Sequence, residues 1–237
     1  MDLQTIVQAF SWDSMIWVSA TLIAYLFAVW IFKYFSNSII LHPIMIGALV
    51  ICCLSFISNT PLLEYKQHVT AINWLLGPVT VALAIPLFQH IKQLFSTGKE
   101  GVLVIIFGGC FAPTIALCSL MLFDFSAPLK ATILTKSITT PLAADTAKII
   151  GGIPELAAAV VVITGILGVL ISKSIFKLTS CQDQRIQGLA FGTIAHAIGT
   201  ARAYQLGTKT GAFANMALCV NGILTAIILP IVFLVFG

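Results

Sequence analysis

Apolar residues follow one another in this chain over lengths that a soluble core does not need. Met15 to Phe32, Ile39 to Ile57, Gly101 to Phe123, Pro154 to Ile171 and Gly211 to Phe236 are nearly free of charge, and each reaches the ~18 residues at which an apolar run reads as a crossing helix. The period-two alternation of a membrane barrel is absent, so helices, which satisfy their own backbone hydrogen bonds, are the remaining way to cross lipid. The second run stops at the turn-like Ser58-Asn59-Thr60-Pro61, and the amphipathic Glu64 to His68 leads into Ala71 to Phe88. That stretch is interrupted by Gly77-Pro78 and again by Pro86, where the missing backbone donor predicts a helix break.

Two segments depart from the pattern. Lys136 to Gly152 is too polar and too broken to cross lipid alone, and Arg185 to Lys209 places Gly192, Thr193, His196, Gly199, Thr200 and Arg202 within otherwise apolar sequence. Both read as broken or re-entrant, with breaks expected at Pro141 and Gly199, and each precedes a clean span. The two halves also align with one another. Thr140, Ala143 and Gly151 fall on Thr200, Ala203 and Gly211 with a shift of 60, and Gly165-Ile166-Leu167 falls on Gly222-Ile223-Leu224 with a shift of 57. A polar hairpin followed by a span, occurring twice, is the pattern of an inverted transporter repeat.

Composition agrees with this reading. Of 237 residues, 59% are hydrophobic and 8% charged, against about 25% charged in soluble domains. The expectation is an all-α polytopic membrane protein with about six to eight membrane-embedded segments. It forms a single integral membrane domain, with residues 1–60 as scaffold helices and 61–237 as a motif-rich, transport-like core. Met1 to Asp13 carries no Lys or Arg and so lacks the basic start of a cleavable signal. The net charge of +4 comes from scattered lysines, which excludes a basic nucleic-acid surface. Lys33, the loop from Gln89 to Glu100 with His90, Lys92 and Lys99, and the Lys173/Lys177/Arg185 loop fall on one side, the cytoplasmic one by the positive-inside rule; Lys130 and Lys136 run against it.

Phosphate loops, nucleophile elbows and zinc helices are missing, and His42, His68, His90 and His196 are dispersed. No enzyme, cofactor or metal is expected, and the six cysteines, mostly within apolar runs, are expected to be buried free thiols. The candidate site is therefore a binding site. An intramembrane Arg202 costs at least about 2.5–3.5 kcal/mol unless partnered; it is read either as a fork for a substrate carboxylate or as a structural residue, paired with Asp145 or snorkelling to the interface. Thr139-Thr140-Pro141 starts a helix whose free N–H groups suit an anion, and Thr200 holds the corresponding place in the second unit. His196 shares a helical face with Thr200 and is either a hydrogen-bonding residue or a proton carrier. Asn221 either bonds across helices or touches substrate.

Several of these motifs together resemble the LrgB/CidB family: Lys136-Ser137-Ile138-Thr139-Thr140-Pro141-Leu142-Ala143, Gly151-Gly152-Ile153-Pro154, Gly188-Leu189-Ala190-Phe191-Gly192-Thr193, His196-Ala197-Ile198-Gly199-Thr200-Ala201-Arg202-Ala203 and Asn221-Gly222, with Leu76-Gly77-Pro78-Val79-Thr80 upstream. Asp145 stands where the family has Glu, and Gln205 where an acid is common. The resemblance implies a multi-pass bacterial inner-membrane protein, homo-oligomeric and working with a small LrgA/CidA-like membrane partner. It implies either antiholin- or holin-like control of murein hydrolases and lysis, or carriage of small monocarboxylates such as pyruvate, lactate or glycolate. The broken helices, the repeat and a buried Arg favour the carrier, because a simple hole-former needs none of them.

Overall fold

The computed structural model describes residues 9–82, 85, 88 and 98–236, and every regular element among them is a helix. The expected break at Pro86 and the His90 and Lys92 positions lie outside the described residues. The chain divides into two compact units, Met1–Val79 and Thr80–Gly237.

In the first unit α1 (Trp12–Tyr34) is capped by Ser11, whose hydroxyl accepts from the Ser14 N–H at 3.2 Å, with Asp13 in its first turn and Lys33 in its last. Both charges complement the helix dipole. A single 3-10 turn (Ile39–Leu41) leads to α2 (Pro43–Ile57), and α3 (Leu62–His68) follows at 111° to it. The turn between them passes through Asn59 at φ 54°, and the Ser55 hydroxyl donates to the Thr60 carbonyl. Polar contacts register α3 on α1: Ser14 Oγ lies 3.3 Å from His68 Nδ1, and Thr21 Oγ1 lies 3.0 Å from the Tyr65 hydroxyl. Two short helices close the series, α4 (Thr70–Trp74) and α5 (Leu76–Ala82). The expected break at Gly77-Pro78 is thus displaced to Leu75. Gly77 and Pro78 lie in the first turn of α5, where proline's missing N–H costs no intrahelical bond.

The second unit holds α6 (Gly98–Met121), α7 (Ala127–Leu134), α8 (Thr140–Ile149), α9 (Pro154–Leu178), α10 (Gln184–Leu206) and α11 (Thr208–Phe236). Lys99 and Glu100 are therefore helical rather than part of a loop. α10 and α11 approach through glycine: a Cβ on Gly188 would strike the Thr210 carbonyl oxygen, and one on Gly192 the Ala214 carbonyl oxygen. α8 packs on α9 through Ile138, Ala143, Ala147, Ala157 and Val161. On its other face α9 meets α10, where a Cβ on Gly168 would lie 3.1 Å from Ala195 Cβ. Helices that cannot gain by leaving water associate through such small-residue faces, which maximise van der Waals contact and hydrogen bonding.

Among the described residues four helices are long and apolar enough to cross a membrane, Trp12–Tyr34, Gly101–Met121, Pro154–Leu178 and Thr208–Val235, and the bent pair Pro43–Ile57 with Leu62–His68 supplies a fifth if it counts as one span. The chain is an all-helical, multi-pass membrane protein. α8, with 10 residues, is about 15 Å long and cannot cross a hydrocarbon layer of about 30 Å. Large apolar side chains such as Phe56, Phe107 and Leu122 point outward, as they do when the surrounding medium is lipid. The same reason corrects the cysteines: Cys52, Cys53, Cys110 and Cys118 are exposed and only Cys219 is buried, because an apolar thiol gains nothing by turning inward from lipid.

Asp183 caps α10, accepting from the Arg185 N–H at 2.8 Å and pairing with its guanidinium at 2.8 Å. The side-chain hydrogen bond from Arg185 pulls the Asp183 carboxyl down to about 2. Its stabilisation is then complete above the ordinary carboxylate value of about 3.9 and is lost as pH falls toward 2. Asp183→Asn keeps an amide cap and loses the charge pair. Its melting temperature in detergent is expected to lie below wild type at pH 6 and to converge with it near pH 2; a constant gap across that range would contradict the assignment.

Candidate functional site

The second unit contains a buried polar centre formed where two helices start without completing their backbone bonds. α8 is the first. Its N-cap, Thr139, is extended at φ −68°, ψ 150°, and its hydroxyl makes no capping bond. The first intrahelical bond there runs from the Ala143 N–H to the Thr139 carbonyl at 2.8 Å, which leaves the preceding N–H groups free of intrahelical partners. Pro141 sits in the first turn, where its fixed φ suits the helix. It starts α8 rather than breaking it.

The second is the later half of α10. His196 has φ 39°, ψ −127° within an otherwise helical run, a conformation that a residue with a β-carbon holds only when its surroundings impose it. The surroundings do so here. The ring is 2% exposed, donates to the Val161 carbonyl, and sits so close to α9 that a Cβ on Gly165 would lie 2.7 Å from His196 Cε1. Gly199, where the break was expected, is helical, and its missing side chain instead makes room for Ala195 and the Phe191 carbonyl. A side chain held by two contacts on α9 sets the break more firmly than a glycine, which only permits one.

Asn221 on α11 joins the two starts. Its amide donates to the Ser137 carbonyl at 2.8 Å and to the Thr193 carbonyl at 3.1 Å, the first just before α8 and the second in the turn before the break in α10. Asn221 therefore bonds across helices, one of the two roles expected of it. α6 closes over this centre with Gly108 and Gly109: a Cβ on Gly108 would lie 3.0 Å from Thr193 Cγ2, and one on Gly109 would strike Asn221 Oδ1.

On α8, α10 and α11 and the residue capping α8, Thr139, Thr193 and Thr200 Oγ1, His196 Nε2 and Asn221 Oδ1 are buried without a hydrogen-bond partner. Burying such groups unpaired costs on the order of 1–3 kcal/mol each, so a set of five is a strong reason to look for a ligand or trapped water. Thr210 Oγ1 is equally unpaired but lies away from the centre, on the stretch of α11 facing Gly188.

Of the residues singled out in the sequence, Thr139, His196, Thr200 and Asn221 are buried on these elements, and Thr140 is half-buried. Arg202 and Asp145 do not join them. Arg202 is half-buried and donates to Gln205 Oε1 at 2.8 Å, while Asp145 is exposed on α8; among the described residues no ion pair links them. Beyond the kink, Arg202 turns outward to a neighbour on its own helix. Sequence reading missed Ser137 and Thr193 as site residues. Thr193 sits three positions before His196, the spacing that places side chains on one helical face, and was recoverable; Ser137 acts through its carbonyl, which no side-chain pattern marks.

Thr132 braces the approach to α9. Its hydroxyl donates to the Pro128 carbonyl at 2.7 Å and accepts from the Ile153 N–H at 2.8 Å. Thr132→Val keeps the shape and leaves the Ile153 N–H unpaired, which is expected to cost about 1–3 kcal/mol. Faster hydrogen exchange at Ile153 relative to wild type would register the loss; an unchanged rate would refute it.

Comparison with known proteins agrees with the sequence motifs. The model of the LrgB-like family matches residues 21–235. An uncharacterized protein of Haemophilus influenzae is 28% identical over 197 residues, covering 83% of this chain and 85% of its own. The uncharacterized protein YwbG of Bacillus subtilis is 26% identical over 210 residues, 89% of this chain and 93% of its own. The holin-like protein CidB of Staphylococcus epidermidis is 24% identical over 205 residues, 84% of this chain and 87% of its own. No solved structure matches. With a family model spanning nearly all of its helices, the chain belongs to the LrgB-like family.

Proposed function

We propose that this protein controls the passage of small solutes across a bacterial inner membrane, and that it does so as a holin-like protein acting with a small LrgA/CidA-like partner and with further copies of itself. The observation that carries this reading is kinship: relatives described as holin-like protein CidB align with 84% of the chain. The proposal involves no covalent chemistry.

A second reading, a carrier of small monocarboxylates by alternating access, is favoured by one specific observation. Five unpaired polar groups buried beside two helix starts are a costly arrangement that a non-selective hole does not require, whereas a solute site at interrupted helices does. In this reading Thr139, Thr140, His196, Thr200 and Asn221 bind the solute. α8–α9 and the second half of α10 with α11 form the two units of an inverted repeat. The short elements α7 and α8 enter the membrane without crossing it, which raises the embedded segments to six or more.

Liposomes containing the protein, with and without the small partner, separate the two. Partner-dependent release of a trapped uncharged dye, indifferent to Thr139→Val and Thr200→Val, supports the holin-like reading. Saturable uptake of labelled pyruvate, lactate or glycolate with the dye retained, and lost in those variants, replaces it with the carrier.

A further inference from the structure

The centre as described has helix starts and hydroxyls, and Arg202, the cation expected to serve it, turns outward. A different cation lies at its edge. Lys136, in the loop between α7 and α8, is half-buried and precedes the buried Ser137, to whose hydroxyl its ammonium donates at 3.3 Å. The carbonyl of that same Ser137 is held by Asn221, which also holds Thr193, so Lys136 is one residue from the bond joining the two helix starts. Neither of the ion pairs His68–Glu64 and Arg185–Asp183 involves Lys136, and among the described residues no carboxylate is paired with it.

Accessibility defines a way in. From Lys136 to Thr140 the three intervening residues are buried, whereas Lys136 and Thr140 themselves are half-buried. Lys136 and Thr140 thus flank the start of α8, whose first N–H groups have no intrahelical partner and whose dipole favours negative charge. Behind them the unpaired Thr139 hydroxyl, 5% exposed, marks the buried side of the same point. A half-buried ammonium without a counter-charge is unfavourable by itself, and an anion at this point would neutralise it while filling the free donors.

We propose that Lys136, and not Arg202, supplies the charge of this centre, and that Lys136, Thr140 and the N-terminus of α8 form the binding point for a small carboxylate-sized anion. The inference deepens the carrier reading and rests on it for its role, but the binding it asserts is measurable without transport. Purified protein in detergent is melted with increasing sodium lactate, with lactamide as the uncharged isostere, at constant ionic strength. Lactate is expected to raise the melting temperature of wild type and of Arg202→Gln alike, and lactamide to raise neither. Lys136→Gln is expected to weaken the apparent lactate affinity at least tenfold, Thr140→Val to weaken it less, and Lys136→Arg to retain it. Should Lys136→Gln prove unstable without ligand, the comparison of Lys136→Arg with Thr140→Val carries the test.

Wild-type affinity in Lys136→Gln, loss of binding in Arg202→Gln, or a wild type that ignores lactate overturns the proposal. Its failure is distinguishable from that of the carrier reading. A protein that binds lactate through Lys136 but does not carry it in liposomes removes the carrier and leaves the site. Saturable uptake unaffected by Lys136→Gln removes the site and leaves the carrier.

Discussion

Asn221→Leu is expected to destabilise the second unit by about 2–4 kcal/mol, measured as a shift in equilibrium unfolding in mixed micelles. The amide donates to two carbonyls, those of Ser137 and Thr193, 84 and 28 residues away in sequence. Each loses this donor in the variant, at on the order of 1–3 kcal/mol, with some relief because polar groups in a membrane protein find substitutes in the unfolded state. Leucine adds a second difficulty, since its branch would meet α6 where Gly109 allows only the Asn221 oxygen. Asn221→Asp separates the two effects. It keeps the size but replaces the donor with an acceptor facing two carbonyls, and is expected to be at least as damaging as leucine. An Asn221→Asp variant as stable as wild type would show that the amide is not the joint described above.

Gly192→Ala is expected to cost about 3 kcal/mol and to lower the yield of folded protein. The added methyl would occupy the position of the Ala214 carbonyl oxygen. That atom belongs to the backbone of α11 and cannot rotate aside, so the helices must separate along the face where Gly188 makes the same approach. Overpacking of this kind usually costs about 1–3 kcal/mol, and a rigid backbone neighbour places Gly192 at the upper end. Gly77→Ala is the control. Nothing lies within 4 Å of its added methyl, so it is expected to be neutral or to stabilise by up to about 1 kcal/mol through helix propensity. Equal melting temperatures for the two variants would refute the close α10–α11 packing.

Sequence reading placed most of the long helices well. The run Met15 to Phe32 lies within Trp12–Tyr34, and Pro154 to Ile171 within Pro154–Leu178. It also singled out the two polar segments as the unusual part of the chain, and the buried centre lies there. What it misplaced were the positions decided by a partner distant in sequence. The break expected at Gly199 stands at His196, because only the fold brings Val161 and Gly165 against that ring. The Arg202–Asp145 pair, one of the alternatives read for Arg202, is absent among the described residues, where Arg202 bonds Gln205 on its own helix and Asp145 is exposed.

By itself the sequence determined that this is a helical, multi-pass membrane protein of the LrgB-like family, because hydrophobic run length and local motifs are properties of contiguous residues and survive without knowledge of the fold. It also determined where polar chemistry enters the apolar chain. Tertiary structure alone decided which of those polar groups share a site. Asn221 reaches Ser137 and Thr193 only after α8, α10 and α11 pack through their small residues. Arg202 is left to bond Gln205 on its own helix for the same reason: which face of a helix turns inward is set by its neighbours, not by its own residues.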